Sequence, residues 1–333
     1  MTGRIAASGN VDTLLDQNGN ATLTRCCYSN LFNGCTSLTS APELPSTTLA
    51  DGCYYGMFWR CGSLTTAPKL PATTLAISCY SNMFDGCSSL TSAPELPATT
   101  LADSCYYGMF WSCTSLTSAP ELPATTLANR CYSNMFTECR SLTSAPELSA
   151  TTLYIYCYDS MFANCSSLTT APSILPATTL AKNCYSDMFL NCTSLTSAPE
   201  LPATTLARSC YSNMFNDCTS LTTAPKLPAT TLAYGCYERM FTECRSLTSA
   251  QVLPATKLEP LCYSDMFFNC SNLNTIKLGY TGKFADAPSD AFSRWVYGVA
   301  ESGTLYYNGS DTTTGESAIP KGWVVAQPLC FTA

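Results

Sequence analysis

One 26-residue unit, "CYSNMFDGCSSLTSAPELPATTLADS" at Cys79–Ser104, recurs along most of this chain, and no other feature constrains the fold as much. Units begin at Cys27, Cys53, Cys79, Cys105, Cys131, Cys157, Cys184, Cys210, Cys236 and Cys262. One unit is a residue longer, with the extra residue near Ile174 in "APSILPATTL". Length alone, 333 residues, suggests about two domains. The repeats override that expectation. A coil this short cannot bury its own apolar face, so coils stack and share a core.

The copies can be compared with one another. Counting from the first cysteine, positions 1, 2, 5, 6 and 9 are nearly fixed: Cys79, Tyr80, Met83, Phe84 and Cys87 in the third unit. Positions 3, 4, 7 and 8 vary: Ser81, Asn82, Asp85 and Gly86 there, but Tyr55, Gly56, Trp59 and Arg60 in the second unit. Fixed residues at i, i+1, i+4, i+5 and i+8 form one face of an α-helix, so each unit is expected to hold a short amphipathic helix with that face inward. Leu90, Ala93, Leu96 and Leu101 recur and should also point inward. "LTSA" reads as a short strand ended by Pro94 and Pro97, which cannot donate to a ladder. "APELP" then reads as an extended, polyproline-like return. The expected fold is an α/β solenoid: a right-handed leucine-rich-repeat stack with one short helix and one short parallel strand per unit, capped at both ends.

The wording of the unit carries a family resemblance. "MFDGCSSLTSAPELP" resembles the "AFxxCxxLxxIxIP" unit of BspA-like leucine-rich repeat proteins, with Phe84, Cys87 and Leu90 at the same spacing. The resemblance covers residues 27–278. It departs in the longer unit, in Met for the usual Ala, and in the added proline pair. Repeats worded this way are similar to those in surface proteins of gut Bacteroides-like bacteria and in their phages. The resemblance implies surface exposure, binding of host proteins, matrix or glycans, and no catalytic residues.

Composition narrows the chemistry. There is no histidine, so neither a Ser-His-Asp nor a Cys-His machine can be assembled. A glycosidase built from two carboxylates stays open on sequence grounds, but it needs a cleft. A net charge of −7 argues against nucleic acid as a partner. No run of 18 apolar residues exists, so no membrane insertion is expected. The start has no apolar core of signal-peptide type, which implies either a removed leader or another way out of the cell.

The cysteines number 22. If positions 1 and 9 share a helix they stand about 12 Å apart, too far for a disulfide. Equivalent thiols on helices about 8–10 Å apart are also beyond most pairings. Evenly spaced thiols without histidine do not converge on a metal, so no metal and no cofactor is expected. The repeat cysteines read as small, reduced core residues. Cys26 and Cys330 lie outside the repeat register and are the expected exceptions.

Information for a partner should sit at the variable positions. Tyr55 with Trp59, and Tyr107 with Trp111, are each spaced i, i+4 on the expected solvent face. Tyr154, Tyr156 and Phe268 add further candidates. Exposed Trp and Tyr are enriched at binding hot spots and stack on sugar rings, although packing against a neighbour or in a homo-oligomer would use the same side chains. Position 17 offers a row including Glu95, Glu121 and Glu147, about 4.8 Å apart in a parallel stack, which reads as a solvated edge rather than a calcium site. Paired threonines such as Thr73–Thr74 would alternate sides and give no flat ice-binding array.

The expected organisation is an N-terminal cap over 1–26, with Ala21–Cys26 as a closing half-coil, ten units over 27–270, and a C-terminal cap over 271–333. That cap is expected to hold a short helix in "PSDAFSRWVYGV" and a hairpin at Asn308-Gly309. The expected function is non-catalytic binding or adhesion at a cell surface, directed at a protein or glycan. The alternative is a phage tail-fibre or receptor-binding component built on the same repeats.

Overall fold

The computed structural model describes residues 4–19 and 22–327; Ala21 and Cys330 lie outside the described residues. The chain forms two compact units. Unit 1 comprises residues 1–150 with 157–168, and unit 2 comprises 151–156 with 169–333.

No segment of either unit is an α-helix among the described residues, which corrects the expectation of one helix per repeat. Each Cys-Tyr-x-x-Met-Phe-x-x-Cys segment is instead a run of overlapping turns. In the third coil the N–H groups of Cys79, Ser81, Met83, Asp85 and Cys87 donate to the carbonyl three residues back, closing one β-turn after another. The N–H groups between them go to the next coil: Tyr80 donates to Cys105, Asn82 to Tyr107, Phe84 to Met109 and Gly86 to Trp111, at 2.7–3.0 Å. Half of the backbone donors therefore tie coil to coil, as in a sheet, and half shape the coil. An α-helix would turn every donor inward on itself.

The residues at positions 0, 4 and 8 of each coil explain the choice. Ser78, Asn82 and Gly86 have φ of +52°, +52° and +72°, and the same three positions are left-handed in the coils that follow. Gly, Asn, Asp and Ser dominate there, residues that enter the left-handed region readily or hydrogen-bond their own backbone. A left-handed residue every fourth position gives a period of 4.0. Fixed residues at 1, 2, 5, 6 and 9 fit that period as well as they fit 3.6.

From the second coil on the fixed face is buried as expected; in the first, Leu31 and Cys35 are exposed. In unit 1 Tyr54, Tyr80, Tyr106 and Tyr132 stack with ring centroids 5.7–6.0 Å apart. Phe58, Phe84 and Phe110 stack beside them at 5.6 Å, within the offset-stacking range. Unit 2 repeats both ladders, for example Tyr211–Tyr237 at 5.9 Å and Phe215–Phe241 at 5.7 Å. Cys79, Met83, Cys87 and Leu90 are fully buried around the rings.

The longer strands form where the prolines are missing. In the Pro-bearing coils after the first, "LTSAP" yields only single parallel bridges, such as Ser197–Thr223, because proline has no N–H to extend them. Second threonines of the TT pairs bridge likewise, Thr48–Thr74–Thr100–Thr126 in unit 1. At the start of the chain β1 (Ile5–Ala6) pairs in parallel with β2 (Leu38–Ser40). The buried Asp12 there accepts from the Tyr28 hydroxyl at 3.4 Å and from Ser46 at 2.7 Å, which seats residues 4–16 over the first coil. In unit 2 proline gives way to Gln251, and "SAQVL" becomes β3 (Ser249–Leu253). It heads a parallel sheet with β4 (Thr275–Leu278), β5 (Thr304–Tyr307) and β6 (Val324–Ala326).

Two further corrections concern residues 271–333. The expected helix is an eleventh turn-built coil: Asp290, Arg294 and Gly298 are left-handed, and Ala291, Phe292, Trp295 and Val296 take the places of Cys, Tyr, Met and Phe. Tyr263 and Phe267 donate to Ala291 and Trp295 as coil donates to coil elsewhere. The expected hairpin is absent too, because β5 and β6 run parallel. The segment between them makes a circuit instead of doubling back, held by Trp295 Nε1 donating to Ala318 and Trp323 Nε1 to Ala300.

Candidate functional site

The variable positions form the outer rim of the coils, and the turn geometry decides how they sit. Positions 3 and 7 are one four-residue turn apart, so Tyr55 and Trp59 follow each other along coil 2, and Tyr107 and Trp111 along coil 4. Coil 3 lies between them and carries Ser81, Asn82, Asp85 and Gly86. The result in unit 1 is an alternation of aromatic and small polar coils. All four aromatics are half-buried. Both aromatic coils carry glycine at position 4, where a Cβ at Gly56 or Gly108 would run into Asn30 Oδ1 or Asn82 Oδ1, and both have φ of +56°. Asn82 in turn donates to the Tyr55 hydroxyl at 3.3 Å.

Asp85 is the charged group of this rim. It is half-buried, and desolvation raises its pKa to about 6, against the opposing pull of Arg60 and with a smaller push from Glu138. The Arg60 guanidinium lies 5.1 Å from the Trp59 ring centre. Its stem crosses toward coil 3, with Cγ 3.3 Å from where a Gly86 Cβ would be. Burial also raises Tyr107, with Asp159 as the next cause and Tyr55 and Asp85 contributing less.

The other predicted residues lie elsewhere. Tyr154 (40% exposed) and the half-buried Tyr156 belong to the 151–156 segment of unit 2. Phe268 stacks on Tyr297 at 4.8 Å, with Arg294 over its ring at 5.1 Å. Arg294 and Arg239 flank the buried Asp265, at 3.0 and 3.5 Å. Of the seven predicted residues, four therefore belong to unit 1 and three to unit 2. Sequence reasoning missed Tyr297 and Tyr234, the latter carrying Arg208 at 4.5 Å. Tyr297 was findable by aligning Asp290–Gly298 to the repeat.

The thiols stay out of this rim. Cys87 donates to the Phe58 carbonyl of the preceding coil at 3.1 Å, and Cys113, Cys139 and Cys244 do the same to Phe84, Phe110 and Phe215. Burial pushes Cys53, Cys61 and Cys79 up to about 12, which holds them protonated and removes them as nucleophiles. Cys26 is exposed on the first coil. Among the described residues no group of three or more His, Cys, Asp or Glu is placed to hold a metal ion. No helix among them is long and apolar enough to cross a membrane.

Glu95, Glu121 and Glu147 are exposed at position 17. Two proline-lined clefts lie at this position, each beside a Lys: about 390 Å³ around Pro68, Lys69, Pro94 and Glu95 in unit 1, and about 380 Å³ around Pro199, Glu200, Pro225 and Lys226 in unit 2.

A family model described as a BspA type leucine rich repeat region of six copies matches residues 25–143, 54–196, 99–222 and 159–295. The chain belongs to the BspA-type leucine-rich repeat family. No curated protein matches it. Among solved structures it is similar to a leucine rich cell surface protein from Faecalibacterium prausnitzii A2-165, at 16% identity and TM-score 0.37, over 92% of this chain and 83% of that one. It is also similar to a leucine-rich repeat protein from Bacteroides ovatus ATCC 8483, at 17% identity and TM-score 0.32, over 89% and 86%.

Proposed function

We propose that this BspA-type protein is a non-catalytic recognition module, which holds a protein or glycan of a host or cell surface against the variable rim of its coils. The division of labour within each coil supports this reading. From the second coil on, positions 1, 2, 5, 6 and 9 are nearly fixed and buried, while positions 3, 4, 7 and 8 change between copies and in several of them reach the surface, Tyr55, Trp59, Tyr107 and Trp111 among these. The changes at Tyr55, Trp59, Tyr107 and Trp111 put large aromatic side chains where packing does not require them. Such half-exposed side chains give contact area with few rotors to immobilise. Arrays of glycans and matrix proteins test the reading. Binding to at least one probe, lost in Trp59→Ala and Trp111→Ala together, is the expected result. An array without any bound probe, or binding indifferent to both substitutions, contradicts it.

A further inference from the structure

We propose that coil 3 and its two aromatic neighbours form a subsite for one neutral pyranose ring of a glycan, stacked on Trp111 and hydrogen-bonded by Asp85 and Arg60. The proposal rests on the binding reading above and specifies its ligand.

Coils 2 and 4 are two coil steps apart, about 11 Å at the 5.6 Å step of their buried Phe rings. Apolar contact needs about 3.5–4 Å on each side, so a flat aromatic ring cannot touch both walls, whereas a puckered saturated ring with its substituents fills more of the gap. Arg60 already covers part of the Trp59 side. Trp111 carries no such cation among the described residues: its half-buried indole lies over Gly108 of its own coil, with Cε3 3.6 Å from where a Gly108 Cβ would be, and it is the wall left for a ligand.

The polar floor points to the same ligand. No hydrogen bond within the described residues is made by the Asp85 carboxylate. It is a partly desolvated acceptor that feels the charge of the five-donor fork of Arg60. Adjacent hydroxyls of a pyranose can donate to Asp85 and accept from Arg60 at once. A carboxylate or amide floor beside an indole face suits a ring that is apolar on its C–H side and polar at its edge. A cationic side chain fits less well. The cation's place beside the acid and over Trp59 is filled by Arg60, so the pair has little net charge left to attract another.

Calorimetric titration of the whole protein with the methyl glycosides of glucose, galactose, mannose and N-acetylglucosamine, and with a lysine-rich peptide, tests this. At least one glycoside is expected to bind. Asp85→Asn should weaken it roughly tenfold or more, the effect of losing a charged hydrogen bond. Trp111→Ala should weaken it more than Trp59→Ala does. Melting curves check that each variant stays folded, and Asp85→Asn, nearly isosteric, keeps the test valid if Trp111→Ala does not fold. Glycoside binding unchanged in Asp85→Asn and Trp111→Ala overturns the subsite while leaving the recognition reading standing. Binding of the peptide and of no glycoside also overturns it. If neither glycoside nor peptide binds but the arrays find a protein ligand, the subsite fails alone; if the arrays are empty too, both readings fail.

Discussion

Aromatic side chains occupy the rim in both units, but in opposite arrangements. In unit 1 they stand on alternate coils, with Ser81, Asn82, Asp85 and Gly86 between them. In unit 2 Phe268 and Tyr297 stand on consecutive coils and stack on each other at 4.8 Å, with Arg294 on the outside. The acids differ in the same way: Asp265 is buried between two arginines, while Asp85 makes no hydrogen bond within the described residues and is raised to about 6. One coil of spacing separates an ion-paired cluster from an open one. Consecutive aromatics consume each other's faces, and alternate aromatics keep theirs for something else.

Three experiments sharpen this contrast. The largest effect is expected at Asp265→Asn, which keeps a residue tolerant of its φ of +51° but removes the charge that two arginines share. Half-exposed arginines soften the penalty of a broken buried pair, so a loss of about 2 kcal/mol in urea unfolding is expected. A loss under about 0.5 kcal/mol would make the unit 2 cluster as unsatisfied as the unit 1 rim. Next come double-mutant cycles. Phe268→Ala with Tyr297→Ala should show coupling of about 0.5–1.5 kcal/mol, as stacked pairs do. Trp59→Ala with Trp111→Ala, two coils apart, should add within about 0.3–0.5 kcal/mol. Equal coupling in both pairs would erase the distinction. The smallest effect is at Asp85→Asn and depends on pH. A carboxylate raised from its ordinary 3.8 to about 6 is costly to ionise in the fold, so its contribution favours folding below about 4 and is lost as pH rises through 6. The amide cannot ionise, so the variant should melt higher than wild type at pH 7.5 and alike at pH 3.5. Equal melting at both values would show Asp85 to be solvated.

Much of this was legible in the repeat, and what was not has physical causes. Comparing ten copies separated core from rim: Cys79, Tyr80, Met83, Phe84 and Cys87 are buried as their constancy implied. The inward face did not reveal its backbone. Spacing at 1, 2, 5, 6 and 9 serves a 3.6-residue helix and a four-residue turn alike, and only Ser78, Asn82 and Gly86 carried the distinction. They are weak helix formers placed every fourth residue. The eleventh coil escaped because Ala291, Phe292, Trp295 and Val296 preserve size and burial but not identity. Prolines were the clearest local signal: strands fail at Pro68 and Pro94 and extend where Gln251 restores the N–H. Of the predicted site, Tyr55, Trp59, Tyr107 and Trp111 share a rim, while Phe268 was already engaged by Tyr297, a partner hidden in the unread coil.

The most direct test uses the four tryptophans as reporters. Trp59 and Trp111 lie on the rim, whereas Trp295 is fully buried and Trp323 is 8% exposed. Fluorine NMR of 5-fluorotryptophan-labelled protein, assigned by single Trp→Phe variants, should show the Trp111 signal shifting most on addition of the bound glycan. Trp59 should shift less, and Trp295 and Trp323 should hold still. Saturating ligand that leaves the Trp59 and Trp111 signals in place would contradict recognition at this rim.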